Sequence, residues 1–82
     1  MEIRKYLKFI IKDLLQQDIN QLLIHKIEID IKGSFIIMYI KLERPGIFIG
    51  KGGENIDRIK LELEEKFERP ITINLIEFNP FD

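Results

Sequence analysis

Three glycines in four positions, Gly50-Lys51-Gly52-Gly53, constrain this chain more than any other stretch. Glycine lets backbone approach a neighbour closely and adopts the positive φ angles that a sharp turn needs. The only side chain left in the loop is the ammonium of Lys51. Behind it, residues 54–69 carry Ile56, Ile59, Leu63 and Phe67 at spacings that share one helical face. A helix starting at Gly53 or Glu54 aims free N–H groups and the positive end of its dipole into the loop. Phosphate is the ligand such a site suits best. In front of the loop, Arg44-Pro45-Gly46-Ile47-Phe48-Ile49 reads as a very short helix. Pro45 falls in its first turn, where the missing donor costs nothing.

The flanking sequence supplies the layers around this loop. Ile3, Tyr6, Leu7, Ile10, Ile11, Leu14 and Leu15 recur at helical spacing, which predicts an amphipathic helix over about residues 2–17. Arg4, Lys5, Lys8 and Lys12 occupy its wet face. Residues 16–22 read as a polar connection. Ile24, Ile27, Ile29 and Ile31, set among Lys26, Glu28, Asp30 and Lys32, predict a half-buried strand. Lys32-Gly33-Ser34 is a hairpin turn. Residues 35–42 form a second strand, apolar on both faces: Ile36, Met38, Ile40 and Leu42 on one, Phe35, Ile37 and Tyr39 on the other. Arg69-Pro70 stops the long helix, because the residue before proline avoids helical angles. Ile71, Ile73 and Leu75 alternate with Thr72 and Asn74 as a third strand, and residues 77–82 are a tail. Helices then cover one face of a three-stranded sheet, an α+β layer.

Composition narrows the chemistry. At 82 residues the chain reads as one domain, residues 1–82, with 45% hydrophobic residues to fill a core. There is no cysteine, so no disulfide and no thiolate metal site, which fits a cytoplasmic setting. No apolar run reaches the roughly 20 residues that span a bilayer. Net charge is −1, from 13 basic against 14 acidic residues. Lys41, Arg44, Lys51, Arg58 and Lys60 gather near the loop against Glu43, Glu54 and Asp57. Glu62, Glu64, Glu65 and Glu68 read as a solvated helix face. Catalysis lacks its parts: His25 and Ser34 are each the single residue of their kind, and a triad needs convergent partners. A nucleotide P-loop fails as well. Three residues separate Gly46 from Gly50 where four are required, and Gly52 stands where Ser or Thr would hold magnesium.

Helix, Gly-x-x-Gly loop and helix, with Ile49 before the loop and Ile56 three residues after it, resemble the K homology (KH) domain. The pattern I-G-x-x-G-x-x-I is met by Ile49, Gly50, Gly53 and Ile56, and Ile59 continues the face. The element order is similar to the type II arrangement. Arg44-Pro45-Gly46, Ile3-Arg4-Lys5-Tyr6-Leu7 and Ile71-Thr72-Ile73-Asn74-Leu75 look most like the KH domain of the ribosomal small-subunit protein S-three family. Members of that family also carry basic N-terminal residues and a second C-terminal domain, neither of which the resemblance covers in these 82 residues. Gly52 fills a loop position that in the family usually holds a basic or polar side chain.

The resemblance implies a three-stranded mixed sheet with helices packed on one face, in the order α-β-β-α-α-β. It implies a non-enzymatic module for single-stranded RNA, either ribosomal RNA or mRNA, with no cofactor, metal or membrane. The loop of such a domain clamps about four nucleotides by their backbone. By that resemblance, the backbone amides of Lys51, Gly52 and Gly53 and the Lys51 ammonium meet phosphate, and Arg44 and Arg58 flank it. Ile47, Ile49, Ile56 and Ile59 form the apolar groove floor or the core beneath it, walled by Ile40 and Leu42. The basic face of the first helix is a solvated surface or a secondary contact with RNA or ribosome. The alternative function is a KH-fold protein-interaction module. Phe35, Ile37 and Tyr39 would then serve a homodimer or a host protein, unless the N-terminal connection or Phe78 and Phe81 fold over them.

Overall fold

Helix α1, Ile3–Leu15, opens the fold in the computed structural model, which describes residues 2–17 and 20–79. Its stripe of Leu7, Ile10 and Ile11 is buried. The helix stops two residues short of the expected end. Gln16 turns left-handed at φ 57 and returns its amide to the Lys12 carbonyl at 3.0 Å. The connection that follows is less polar in role than in composition, since Leu22 is fully buried.

Strands β1, Ile24–Lys32, and β2, Phe35–Leu42, form the hairpin around Gly33-Ser34. They pair antiparallel from Lys32↔Phe35 to Ile24↔Leu42, with one irregularity between Ile24 and Lys26. The chain then leaves the sheet through helix α2, Pro45–Ile49, a 3-10 turn at Lys51–Gly53, and helix α3, Glu54–Phe67. Glu68, left-handed at φ 54, ends α3 just ahead of Pro70. Strand β3, Ile71–Glu77, returns parallel to β2, from Ile36↔Ile71 to Leu42↔Glu77. The sheet order is β1-β2-β3, so the doubly apolar strand is the central one.

That placement explains the two-sided pattern of β2. Ile36, Met38, Ile40 and Leu42 lie beneath the helices at 4% exposure or less, and with Leu7, Ile11, Phe48, Ile59, Leu63 and Ile71 they make the core. Fully burying an aliphatic side chain contributes about 1.5–3 kcal/mol, so this middle strand anchors the domain. Tyr6 of α1 meets the Phe67 ring edge-on at 5.7 Å, which ties α1 to α3. Glu64 departs from the solvated-face reading. It is half-buried, and its Oε2 accepts the Ile71 amide at 2.9 Å. It therefore closes the joint between α3 and β3.

Among the described residues no helix covers the opposite sheet face. Phe35 remains 43% exposed, while Ile37 and Tyr39 are half-buried. Phe78 donates its amide to the Leu42 carbonyl at 2.8 Å and sits 4.5 Å from the His25 ring, with Lys41 Nζ 4.8 Å from its own. One end of that face is thus occupied and the Phe35 end is open. Phe81 lies outside the described residues.

Candidate nucleic-acid interface

A five-residue helix has too few hydrogen bonds to hold itself, so α2 depends on its packing. Phe48 supplies that packing at 0% exposure. With Phe48 pointing inward, its chain neighbours project about 100° to either side of it. Ile47 and Ile49 are accordingly each 37% exposed. α2 rests on α3 and on β3, the edge strand on this side of the sheet.

Gly50, Gly52 and Gly53 have φ of 76, 66 and 81, so all three loop glycines take positive φ, Gly52 and Gly53 left-handed and Gly50 extended at ψ 175. At Gly50 a second constraint is added. A Cβ there would lie 2.6 Å from Cγ of Asn55. Asn55 in turn donates from Nδ2 to the Ile47 carbonyl at 2.9 Å, fastening the start of α3 to the end of α2. Gly50 must be bare because this strut passes over it. At Gly52, by contrast, no atom stands within 4 Å of a would-be Cβ, so its outer side is open.

The amides divide accordingly. Gly50 donates to Gly46 at 2.9 Å and Gly53 to Gly50 at 3.2 Å, so both are used within the turn. The Lys51 and Gly52 amides precede the helical hydrogen-bond ladder and face its open end. Lys51 is exposed. Among the described residues, neither it nor Arg44, Arg58 or Lys60 makes an ion pair. Glu54 and Asp57 stand in the first turn of α3. The Asp57 carboxylate lies 3.8 Å from where a Gly53 Cβ would be. One side of the loop is therefore cationic and the other carries acid.

Of the expected site residues, Gly50, Lys51, Gly52 and Gly53 form one surface with Ile47 and Ile49 beside it. Arg44 is exposed at the far end of α2, and Arg58 is exposed on α3. The isoleucines separate by depth. Ile56 is half-buried against the core, whereas Ile59 is fully buried and takes the core role of its two readings. Ile40 and Leu42 are fully buried in the central strand, so they are core and not a groove wall. Asn55 and Phe48 went unassigned in the sequence. The signal for Asn55 was a short polar amide early in a helix, where such residues bond to nearby backbone. Among the described residues His25 pairs with Glu43 at 2.5 Å and stacks edge-on with Phe78. Among the described residues no cluster of three or more His, Cys, Asp or Glu could hold a metal.

The model of the family described as KH domain matches residues 2–81. Relatives named small ribosomal subunit protein uS3 also match. That of Acidobacterium capsulatum is 28% identical over 81 residues, covering 93% of this chain and 36% of the relative. The one from Desulfatibacillum aliphaticivorans is 35% identical over 78 residues, covering 89% and 36%. The one from Thermosynechococcus vestitus is 33% identical over 82 residues, covering 85% and 34%. The chain thus spans about a third of the length of these relatives.

Proposed function

The chain belongs to the KH-domain family, and from that premise we propose that it binds single-stranded RNA through the loop between α2 and α3. One observation carries the reading. Three glycines at positive φ, stripped of side chains, leave the Lys51 and Gly52 amides and the Lys51 ammonium as the open surface at the start of a 14-residue helix. Amides at a helix start and one mobile cation are the chemistry of phosphate binding. Ile47 and Ile49 form the apolar ledge on which bases rest, with half-buried Ile56 at its base. Arg44 and Arg58 contact flanking phosphates. Ile59 supports the ledge from within the core and does not touch RNA.

Affinity for short RNA is weak in this proposal, because a module of net charge −1 gains little from counterion release. The relatives are ribosomal proteins by name. Assembly on a cytoplasmic ribosome would add contacts that a third of such a chain lacks, with ribosomal RNA or mRNA as the strand held.

The test replaces Lys51 and Gly52 together by Asp. Side-chain space at Gly52 is open, and Asp tolerates left-handed angles better than most residues. The stability loss is about 1–2 kcal/mol, from the positive φ. The variant loses a charge-assisted contact of about 1.5–3 kcal/mol and gains repulsion. RNA affinity therefore falls at least about tenfold in fluorescence anisotropy. Wild-type affinity in a folded double variant removes the loop from the RNA site.

A second reading rests on the bare outer sheet face. Phe35 at 43% exposure and Ile76 at 47% leave apolar surface among polar neighbours, a pattern that marks protein contacts. In that reading the KH fold serves a host protein or a homodimer through Phe35, Ile37 and Tyr39. Undiminished RNA binding by the loop variant, or a dimer in solution, would favour it.

A further inference from the structure

The loop site leaves the positive charge shared by α1 and β1 without a role. Arg4 and Lys8 of α1 and His25 and Lys26 of β1 line one shallow groove, floored by Ile24 and Ile27. Two elements distant in sequence build its walls, which a merely solvated helix face does not require. Arg4, Lys8 and Lys12 fall four residues apart, on one line of the helix surface. All three are exposed. β1 is an edge strand, so its outer backbone groups have no neighbouring strand.

The cations here are placed and only lightly compensated. The Arg4 guanidinium donates to the Ile27 carbonyl at 3.2 Å, which holds it against the strand edge with most of its donors unspent. Its contact with Glu2 is long, at 3.8 Å. Lys26 reaches Glu28 at 2.7 Å, and its hydrogen bond and charge lower the Glu28 pKa. Both groups are more than half exposed, and exposed pairs of this kind are worth little and exchange readily for another anion. Lys8 makes no ion pair among the described residues.

Position joins the groove to the loop site. Ile24 pairs with Leu42, at the end of the sheet where the chain turns into α2. His25 bonds Glu43, the residue before Arg44. Arg44 therefore stands at the corner between the two surfaces, on a molecule only 24 Å across its shorter axes. We propose that the groove between α1 and β1 is a second phosphate-contact surface, holding the backbone of the same single-stranded RNA beyond the nucleotides clamped by the loop. The inference rests on the RNA reading above, and bound length is what it adds.

The experiment measures anisotropy with a short RNA of about four nucleotides, the length the loop clamps, and a longer one of about twelve, within the range single modules span. The proteins are wild type, Lys8→Gln with Lys26→Gln, and Lys32→Gln with Lys66→Gln as a control of equal charge change at the other end. The wild type binds the longer RNA about tenfold or more tightly than the short one, since the second contact is intramolecular. The groove variant loses most of that gain. Its salt dependence on the longer RNA becomes shallower by about 1.4 log units per log unit, for two contacts at a single strand. Its affinity for the short RNA matches that of the control, and the control keeps the length gain. A groove variant with the wild-type length gain and salt slope overturns the inference while leaving the loop reading intact. Equal losses in groove variant and control also overturn it, since only overall charge would then matter. Wild-type protein that binds neither RNA removes the RNA reading, and this inference with it.

Discussion

At the scale of single residues, the loop is held by a reciprocal constraint. Asn55 must reach the Ile47 carbonyl, and Gly50 must be bare for it to do so. Gly50→Val meets both a positive φ and a collision with the strut, so it should cost well over 1 kcal/mol by the usual scale of backbone strain. Thermal melts followed by circular dichroism measure this, and a melting temperature equal to wild type would contradict it. Gly52→Ala faces the same kind of φ without the collision. Its cost should stay near the left-handed penalty alone, about 1–2 kcal/mol, and below that of Gly50→Val. Asn55→Ala removes one hydrogen bond, for a loss of about 1 kcal/mol. The glycines were legible in the sequence because their spacing is itself a pattern. Asn55 was not, because its partner is a carbonyl eight residues away across a turn.

Among elements, α2 and the α3–β3 joint show where packing overrides local preference. α2 exists because Phe48 is buried, so Phe48→Ala should cost about 3–5 kcal/mol. That is a large part of the 5–15 kcal/mol that holds a typical domain. Urea unfolding should show the loss, and RNA binding should decline with it, because the loop hangs from this helix. A companion pair of variants tests the joint. Glu64→Ala strands the amide of buried Ile71 and should destabilise by about 1–3 kcal/mol. Glu65→Ala, one residue on and exposed, should stay within about 0.5 kcal/mol. Equal effects would return Glu64 to the solvated face that its composition suggested. α2 was read from Pro45 ahead of the glycine loop and β2 from its β-branched and aromatic run, whereas the identities of α1, α3, β1 and β3 were readable from period. The last turn of α1 was not, because Gln16 is where the chain leaves the helix for the buried Leu22.

On the scale of the whole molecule, the bare outer sheet face bears on oligomeric state. The open apolar strip is a few side chains, Phe35, Ile37 and Tyr39 of the central strand with Ile76 of β3, and Phe78 lies across one end. Two such strips would bury less than the roughly 1,000 Å² that a stable interface needs. Light scattering should therefore report a monomer near 9.8 kDa. Phe35→Lys should leave the melting temperature almost unchanged, as substitutions at exposed positions do. A dimer that Phe35→Lys dissolves would move the weight of evidence to the protein-interaction reading. The sequence by itself determined the element order and the glycine loop between two helices. Each of these follows from local period or from backbone permission, which neighbouring residues encode. Only the tertiary structure decided which isoleucines reach solvent, which amides of the loop remain open, and that Arg4 and Lys8 share a groove with Lys26. Those properties depend on residues far apart in the chain arriving at one place, and burial and charge are summed over neighbours in space.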